Sequence, residues 1–442
     1  MKKINLLNTL TKLSSIILLF CHSYVCFPIQ ILKDQEIEDG LKKLVTPIVK
    51  VGRIPDLKMH VLQDPSVNAF TAGGRTLYIN TGCLISLPDP NMIVAIIAHE
   101  MGHIKSHHVS RKIIEIDSIT TQLYSTLALS ILAGMSFGEY GFNAAIAGGI
   151  TSIEGHLLKN SRAMENAADQ YACHTLSDAN IDPQSLIDVF LYFSKIERGL
   201  NLKPYANTHP LSTQRAEFAQ RCRQNFENSK QQRKSSTLHD VSFFKRIQLK
   251  LAAFSTDKID EMLKKFEHDD SVNGKYVRSI LYLRLKKFQS ALKLADDLVA
   301  KEPDNAYFYQ WQGQLLFNLN LYRKSIDSYR KAIKILPDAN LIILEKIMVE
   351  LEVDAKPRVE IAGEIYETLN KDKDNIWAYR LLISYSDKVK DYATKYYATA
   401  CMYILKNKKK RARKFINLAL EKAKKYTPIW YKIKDLAEEF RE

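Results

Sequence analysis

The sequence predicts a mainly α chain in two parts: a helical domain that carries a small β-sheet, then a solenoid of helical repeats. Three observations carry this. A strongly apolar helical stretch over 91–116 follows two short runs rich in β-branched and aromatic residues. A polar Ser/Gln/Lys-rich segment, 226–242, then interrupts the pattern. Beyond it, Pro303 and Pro337 stand 34 residues apart in a helical stretch with small residues at regular places. With 442 residues, each part is long enough to bury its own core. The expected division is a leader over 1–26, a first domain over 35–225, a linker over 226–242 and a repeat domain over 243–442.

The leader reads from charge and hydropathy. Lys2 and Lys3 open the chain, an apolar run goes from Leu13 through Phe20 to Val25, and no carboxylate precedes Asp34. A basic start followed by an apolar run too short for a membrane span marks an export signal. Its cleavage point is open between Cys21-His22-Ser23 and Tyr24-Val25-Cys26, and an uncleaved anchor is the alternative. Cys83, Cys173, Cys222 and Cys401 would remain after cleavage. Their spacings fit neither a zinc knuckle nor a CxxC pair, so they are expected as buried small hydrophobes, with no disulfide pairing selected.

The first domain begins with an amphipathic helix over 35–51. Strands follow at 58–62 and 75–81, separated by Gly73-Gly74. The helix over 91–116 starts at Asp89-Pro90-Asn91. Residues 119–135 and 142–153 are apolar but shorter than the roughly 20 residues a bilayer span needs. They read as a core helical hairpin, with a lid or membrane-dipping hairpin as the other option. Further helices are expected over 161–176 and 183–198.

In the repeat part, Gly313, Ser325, Tyr329, Ala332 and Pro337 fill the small, small, aromatic, small and proline positions of a tetratricopeptide (TPR) unit, and Ala291, Ala295 and Pro303 keep that register one unit earlier. Small residues let paired helices approach closely, and each pair hides its apolar face by stacking on its neighbours. Later units are more degenerate. The net charge of +15 points to an anionic partner, but no nucleic-acid motif is present. The densest basic run, Lys406 to Lys414, reads as a solvated helix face that offers peripheral contact with anionic lipid.

The chemistry lies in His99-Glu100-Met101-Gly102-His103. Histidines at i and i+4 project from one face of a helix at the spacing one zinc ion needs. Glu100 is placed to take a proton from the attacking water and pass it to a leaving amine. A catalytic zinc takes three protein ligands. Glu165, in Glu165-Asn166-Ala167-Ala168-Asp169, is the candidate third, and Asp169 one turn on can bond the other nitrogen of a ligand histidine.

These motifs, together with Thr208-His209-Pro210-Leu211-Ser212-Thr213-Gln214-Arg215, resemble the BepA/HtpX group of gluzincin metallopeptidases. Asn68-Ala69-Phe70 and Tyr78-Ile79-Asn80-Thr81-Gly82 resemble that group's strand ahead of the active-site helix. The leader and the repeats bring the chain nearest to the BepA-like periplasmic peptidases. The resemblance implies a gluzincin metallopeptidase domain and one Zn2+ per chain on His99, His103 and Glu165, with Glu100 as general base. Asp169 would support a ligand histidine or donate a proton. His209 would approach the zinc, closing the fourth position or stabilising the oxyanion, and Arg215 would anchor the same loop or the tetrahedral intermediate. His107 reads as surface, and His108 falls where the group often carries a histidine.

The strand at 75–80 is expected to pair with substrate backbone. The implied activity is zinc-dependent endopeptidase cleavage of unfolded or misassembled envelope proteins in the periplasm, with the TPR part meeting outer-membrane assembly machinery. Two alternatives stand beside it: a TPR binding protein of chaperone type whose zinc site is latent and closed by His209, and an HtpX-like peptidase anchored in the inner membrane.

Overall fold

The computed structural model of the chain describes residues 31–108, 161–199, 209, 213–230 and 242–440. The expected leader over 1–26 and the apolar stretch over 119–153 lie outside them. Among the described residues, no helix is long and apolar enough to cross a membrane. The chain divides into two compact units, one containing Pro47–Thr237 and the other Lys33–Thr46 with Leu238–Glu442. The expected first domain therefore loses residues 35–46 to the repeat unit. Helix α1 (Gln35–Gly52) spans this division, which falls at Pro47. The expected linker also shortens, because the helix that begins at Thr213 runs on to Lys230.

The first unit is built on a four-stranded sheet of β1 (Ile31–Leu32), β2 (Lys58–Leu62), β3 (Ala69–Thr71) and β4 (Thr76–Asn80), in the order β1-β2-β4-β3. β4 runs parallel to β2 and antiparallel to β3. Alternation puts Leu77 and Ile79 fully inside. This order corrects the expectation that 75–80 pairs with substrate: β4 is hydrogen-bonded on both sides, and the short strand Ala69–Thr71 holds the edge beside it.

A short helix α2 (Thr81–Ser86) leads to α3 (Pro90–Lys105), which carries the histidine pair. Asp89 caps α3 by accepting from the Asn91 N–H at 2.8 Å, and Pro90 takes the first turn, where its missing N–H costs nothing. Met92 through Ile104 are all buried, so α3 is a core helix. It ends eleven residues earlier than the expected 116: Ser106 caps it and His107 takes a left-handed φ of 54°, which breaks the helix.

Among the described residues, three further helices belong to the unit: α4 over 161–178, α5 (Gln184–Gly199) and α6 (Thr213–Lys230). Gly102 decides how closely α3 meets α4, since a Cβ there would stand 2.8 Å from Ala168 Cα. Ala168, Ala172 and Leu176 of α4 are fully buried along that contact face.

Cys173 of α4 and Cys222 of α6 form a disulfide, whereas Cys83 and Cys401 are free and buried. The expectation of buried small hydrophobes thus holds for Cys83 and Cys401, while the other two form the pair that the sequence left open. The bond closes a loop of 49 residues, which by chain entropy is worth about 4 kcal/mol. A Cys173→Ser/Cys222→Ser variant is expected to melt at a lower temperature by roughly 10 °C, and reductant should lower the melting point of the wild type but not of the variant.

The repeat unit continues as helical hairpins. They are α7 (Ser242–Ser255) with α8 (Ile259–Lys265), α9 (Val272–Arg284) with α10 (Phe288–Lys301), and α11 (Ala306–Asn318) with α12 (Tyr322–Ile335). Then come α13 (Asn340–Val353) with α14 (Glu360–Lys371), α15 (Ile376–Lys388) with α16 (Tyr392–Leu405), and α17 (Lys409–Lys422) with α18 (Pro428–Glu439). The small positions do what their pattern implies. Gly313 lets the Tyr329 ring sit where a Cβ would be 3.0 Å away, and the buried Ser325 hydroxyl donates to Gly313 O at 2.7 Å. The array reaches the C-terminal end although its last units match the pattern poorly, because buried Ala400, Ile416, Ala419 and Ile433 keep the close helix contacts.

Candidate metal centre

Three helices and one loop residue bring the polar groups together. α3 supplies His99, Glu100 and His103, α4 supplies Glu165 and Asp169, α6 supplies Arg215, and His209 lies on the loop ahead of α6. All seven are buried. Buried polar groups need partners, and here they find one another. His99 Nε2 lies 3.0 Å from His103 Nε2 and 3.3 Å from His209 Nδ1. The Glu165 carboxylate sits among them, 3.3 Å from His99 Nε2, 3.4 Å from His103 Nε2 and 3.1 Å from His209 Nδ1.

The opposite ring nitrogens are held from behind. His99 Nδ1 lies 2.9 Å from Asp169 Oδ1. Asp169 in turn accepts from Arg215 through Nε at 2.6 Å and Nη2 at 2.9 Å, while Arg215 Nη1 reaches Glu165 at 3.0 Å. The guanidinium also rests on the Phe190 ring, 5.0 Å from its centroid. His103 Nδ1 meets His108 Nδ1 at 2.8 Å, so one of the two rings donates to the other.

Charge follows this geometry. Burial works to raise the Glu165 carboxyl, but hydrogen bonds from His209 and His99 hold it well below the usual carboxylate range. Asp169 is lowered in the same way, with Arg215 and His99 outweighing burial. Burial, then the charge of His99, pushes His103 down to about 2, which leaves a neutral imidazole with a lone pair to offer. Burial works to lower the other two rings, but hydrogen bonds to Asp169 and Glu165 raise His99, and the Glu100 carboxylate raises His209 to about 9. Two carboxylates held ionised thus share one guanidinium beside the neutral His103 ring.

That donor set suits a zinc ion. His99, His103, Glu165 and His209 each present one ligand atom, and these atoms lie within 4.8 Å of one another. Imidazole nitrogen and carboxylate oxygen are zinc ligands, and Asp169 and His108 fix the ring orientation of the two helix-borne histidines. Glu100 is beside the set, with Oε1 buried and 3.2 Å from His209 Nε2. A cleft of about 370 Å³ borders His103 and is lined also by Thr71, Gly74 and the cationic Arg53, Arg75 and Lys105.

The structure therefore brings together every site residue that the motifs single out: His99, Glu100, His103, Glu165, Asp169, His209 and Arg215. Arg215 points its nitrogens at Asp169 and Glu165, so it braces the centre from behind. His108 was not assigned a part by sequence reasoning. It reaches His103 because the helix ends at Lys105 and His107 takes a left-handed φ; His107 is itself exposed as expected.

The fold and the donor set are compatible with a zinc-binding site. Residues 32–223 match the model of Peptidase family M48. Among relatives, the beta-barrel assembly-enhancing protease of Yersinia pestis is 22% identical over 254 residues, covering 56% of this chain and 51% of that protein. The mitochondrial metalloendopeptidase OMA1 of Schizosaccharomyces pombe is 26% identical over 178 residues, covering 40% of this chain and 50% of that protein. The chain spans about half the length of the curated relatives it matches. Among solved structures, that of YrrB, a TPR protein with an unusual peptide-binding site, is 11% identical to this chain. It covers 41% of this chain and 98% of its own, with a TM-score of 0.25.

Proposed function

We propose that the chain is an exported, zinc-dependent endopeptidase that cuts unfolded or misassembled envelope proteins, with its TPR unit recruiting substrate or assembly machinery. One observation carries the reading: four buried donors converge with Glu100 beside them, and a cleft borders His103. The names of the relatives, a beta-barrel assembly-enhancing protease and a metalloendopeptidase, support the same class. The Cys173–Cys222 disulfide supports export to an oxidising compartment such as the periplasm.

In this reading His99, His103 and Glu165 hold the zinc. Zinc, when bound there, supplies a Lewis acid for the scissile carbonyl and lowers the pKa of the attacking water. Glu100 takes a proton from that water on a carboxylate oxygen and returns it to the departing amine nitrogen. Asp169 keeps the proton of His99 on Nδ1 so that Nε2 faces the centre, and His108 does the same service for His103. Arg215 locks Asp169 and Glu165 in place. Substrate backbone adds to the edge strand β3, a mode that selects little for sequence and suits unfolded chains.

A second reading is favoured by His209, whose Nδ1 lies among the other donors. As a fourth ligand it would close the centre and leave a latent enzyme. Cleavage of unfolded casein by the purified protein tests both readings. The peptidase reading expects chelator-sensitive cleavage, and its absence in a zinc-loaded protein counts against it. If His209 closes the site, His209→Ala raises the rate by about tenfold, the factor for about 1.4 kcal/mol of barrier. An unchanged or lower rate removes the latent reading and leaves His209 to act on the reacting carbonyl.

A further inference from the structure

Residues Lys33–Thr46 belong to the repeat unit by their contacts, although Pro47–Thr237 of the other unit separate them from it in sequence. Their partners come from α7, α9, α11 and α13, the first helices of successive hairpins. Repeat arrays present such a row of helices as an extended binding surface.

The segment is held residue by residue. Glu36 is only 3% exposed, and its carboxylate accepts from Arg246 Nε at 2.6 Å, Lys250 Nζ at 3.0 Å and the Tyr276 hydroxyl at 3.0 Å. Lys250 also donates to Asp34 at 2.8 Å. The Gln35 side-chain oxygen accepts from Leu341 N–H at 3.0 Å, satisfying a backbone donor in the first turn of α13 that has no partner inside its own helix. Gln35 Nε2 bonds Asp39, which accepts from the Tyr307 hydroxyl at 2.9 Å. Gly40 passes so close to α7 that a Cβ would meet the Ile247 side chain and lie 3.3 Å from Phe243. Ile37, Leu41 and Leu44 are buried on the same helix.

These contacts have the pattern of peptide recognition: an amphipathic helix in a groove, with a charged anchor in a dedicated pocket. Lys250 is a buried cation balanced by Glu36 and Asp34, and without an acidic helix it would stand uncompensated. Arg246, partly buried, divides its contacts between Glu36 at 2.6 Å and Glu302 at 3.7 Å. We infer that the first-helix face of the repeat unit is a binding site for an acidic amphipathic helix, and that residues 33–46 are its resident ligand. A partner of the same chemistry, with a carboxylate in the place of Glu36, binds there by displacing that segment. The inference rests on the repeat unit alone and is independent of the peptidase reading.

The test uses the full chain and a labelled, end-blocked peptide of residues 33–46. In the Asp34→Asn/Glu36→Gln variant, which keeps the shape of the resident segment but not its charge, the peptide should bind at least about tenfold more tightly than to wild type. Adding Arg246→Met and Lys250→Met should abolish that binding. Equal binding to wild type and variant would place the peptide elsewhere and overturn the inference. No binding to a folded variant would make residues 33–46 a fixed part of the core and overturn it as well. If the variant does not fold, hydrogen exchange on the wild-type chain decides. Excess unlabelled peptide should speed exchange of the amides over 37–46 if the segment is displaceable, and unchanged exchange would refute displacement.

Discussion

Replacing Glu100 by Gln should lower cleavage of an unfolded substrate by about 10²–10⁴-fold, the usual contribution of a positioned general base, and leave zinc content unchanged. The reason lies in the division of labour at the centre. Glu100 is next to the donor set but not in it, and the ligand atoms come from His99, His103, Glu165 and His209. An amide of the same shape fills the same buried space and keeps contact with His209, yet it cannot accept the proton of the attacking water. Zinc measured in the same preparation separates lost chemistry from a lost site. A variant that kept wild-type turnover would remove Glu100 from the mechanism.

Replacing Arg215 by Leu should be the most disruptive single change to the centre that touches no proposed ligand. The guanidinium gives two hydrogen bonds to Asp169 and one contact to Glu165, and all three groups are buried. Its removal leaves two carboxylates without their shared cation, a defect that costs about 3–5 kcal/mol. The melting temperature should fall on the order of 10 °C. Zinc affinity should drop by about 10–100-fold as Asp169 releases His99. Arg215→Lys should recover only part of this, because a single ammonium cannot bridge Asp169 in the two-nitrogen geometry. A zinc affinity untouched by Arg215→Leu would show that the bracing does not reach the metal.

Much of the site was legible because its spacing is local. His99 with His103, and Glu165 with Asp169, are separated by one helical turn, so helix periodicity alone puts each pair on one face. The repeats were legible for a similar reason, since a 34-residue period with small residues in fixed places survives translation along the chain. What escaped depends on contacts between distant residues. The strand order makes β4 internal and leaves Ala69–Thr71 at the edge, and no alternation pattern contains that order. Cys173 and Cys222 meet only because α4 and α6 meet.

His108 becomes a partner of His103 through one left-handed residue, His107, in what looked like a continuing helix. The histidine pair His107-His108 was visible in the sequence, and a helix end just after His103 was the missing piece. The segment 33–46 was legible as an amphipathic helix but not as part of the repeat unit, because its acidic residues find their cations more than 200 positions away. The leader and the apolar 119–153 stretch fall outside the described residues.

The central claim is that His99, His103 and Glu165 hold one zinc ion for catalysis. Metal content measured on wild type and on Glu165→Ala, purified in parallel and dialysed against the same chelator, tests it most directly. The account predicts one zinc per chain in the wild type, and loss of both the metal and the cleavage of unfolded casein in Glu165→Ala. Zinc retained by the variant as firmly as by the wild type, or no zinc in either protein, would contradict it.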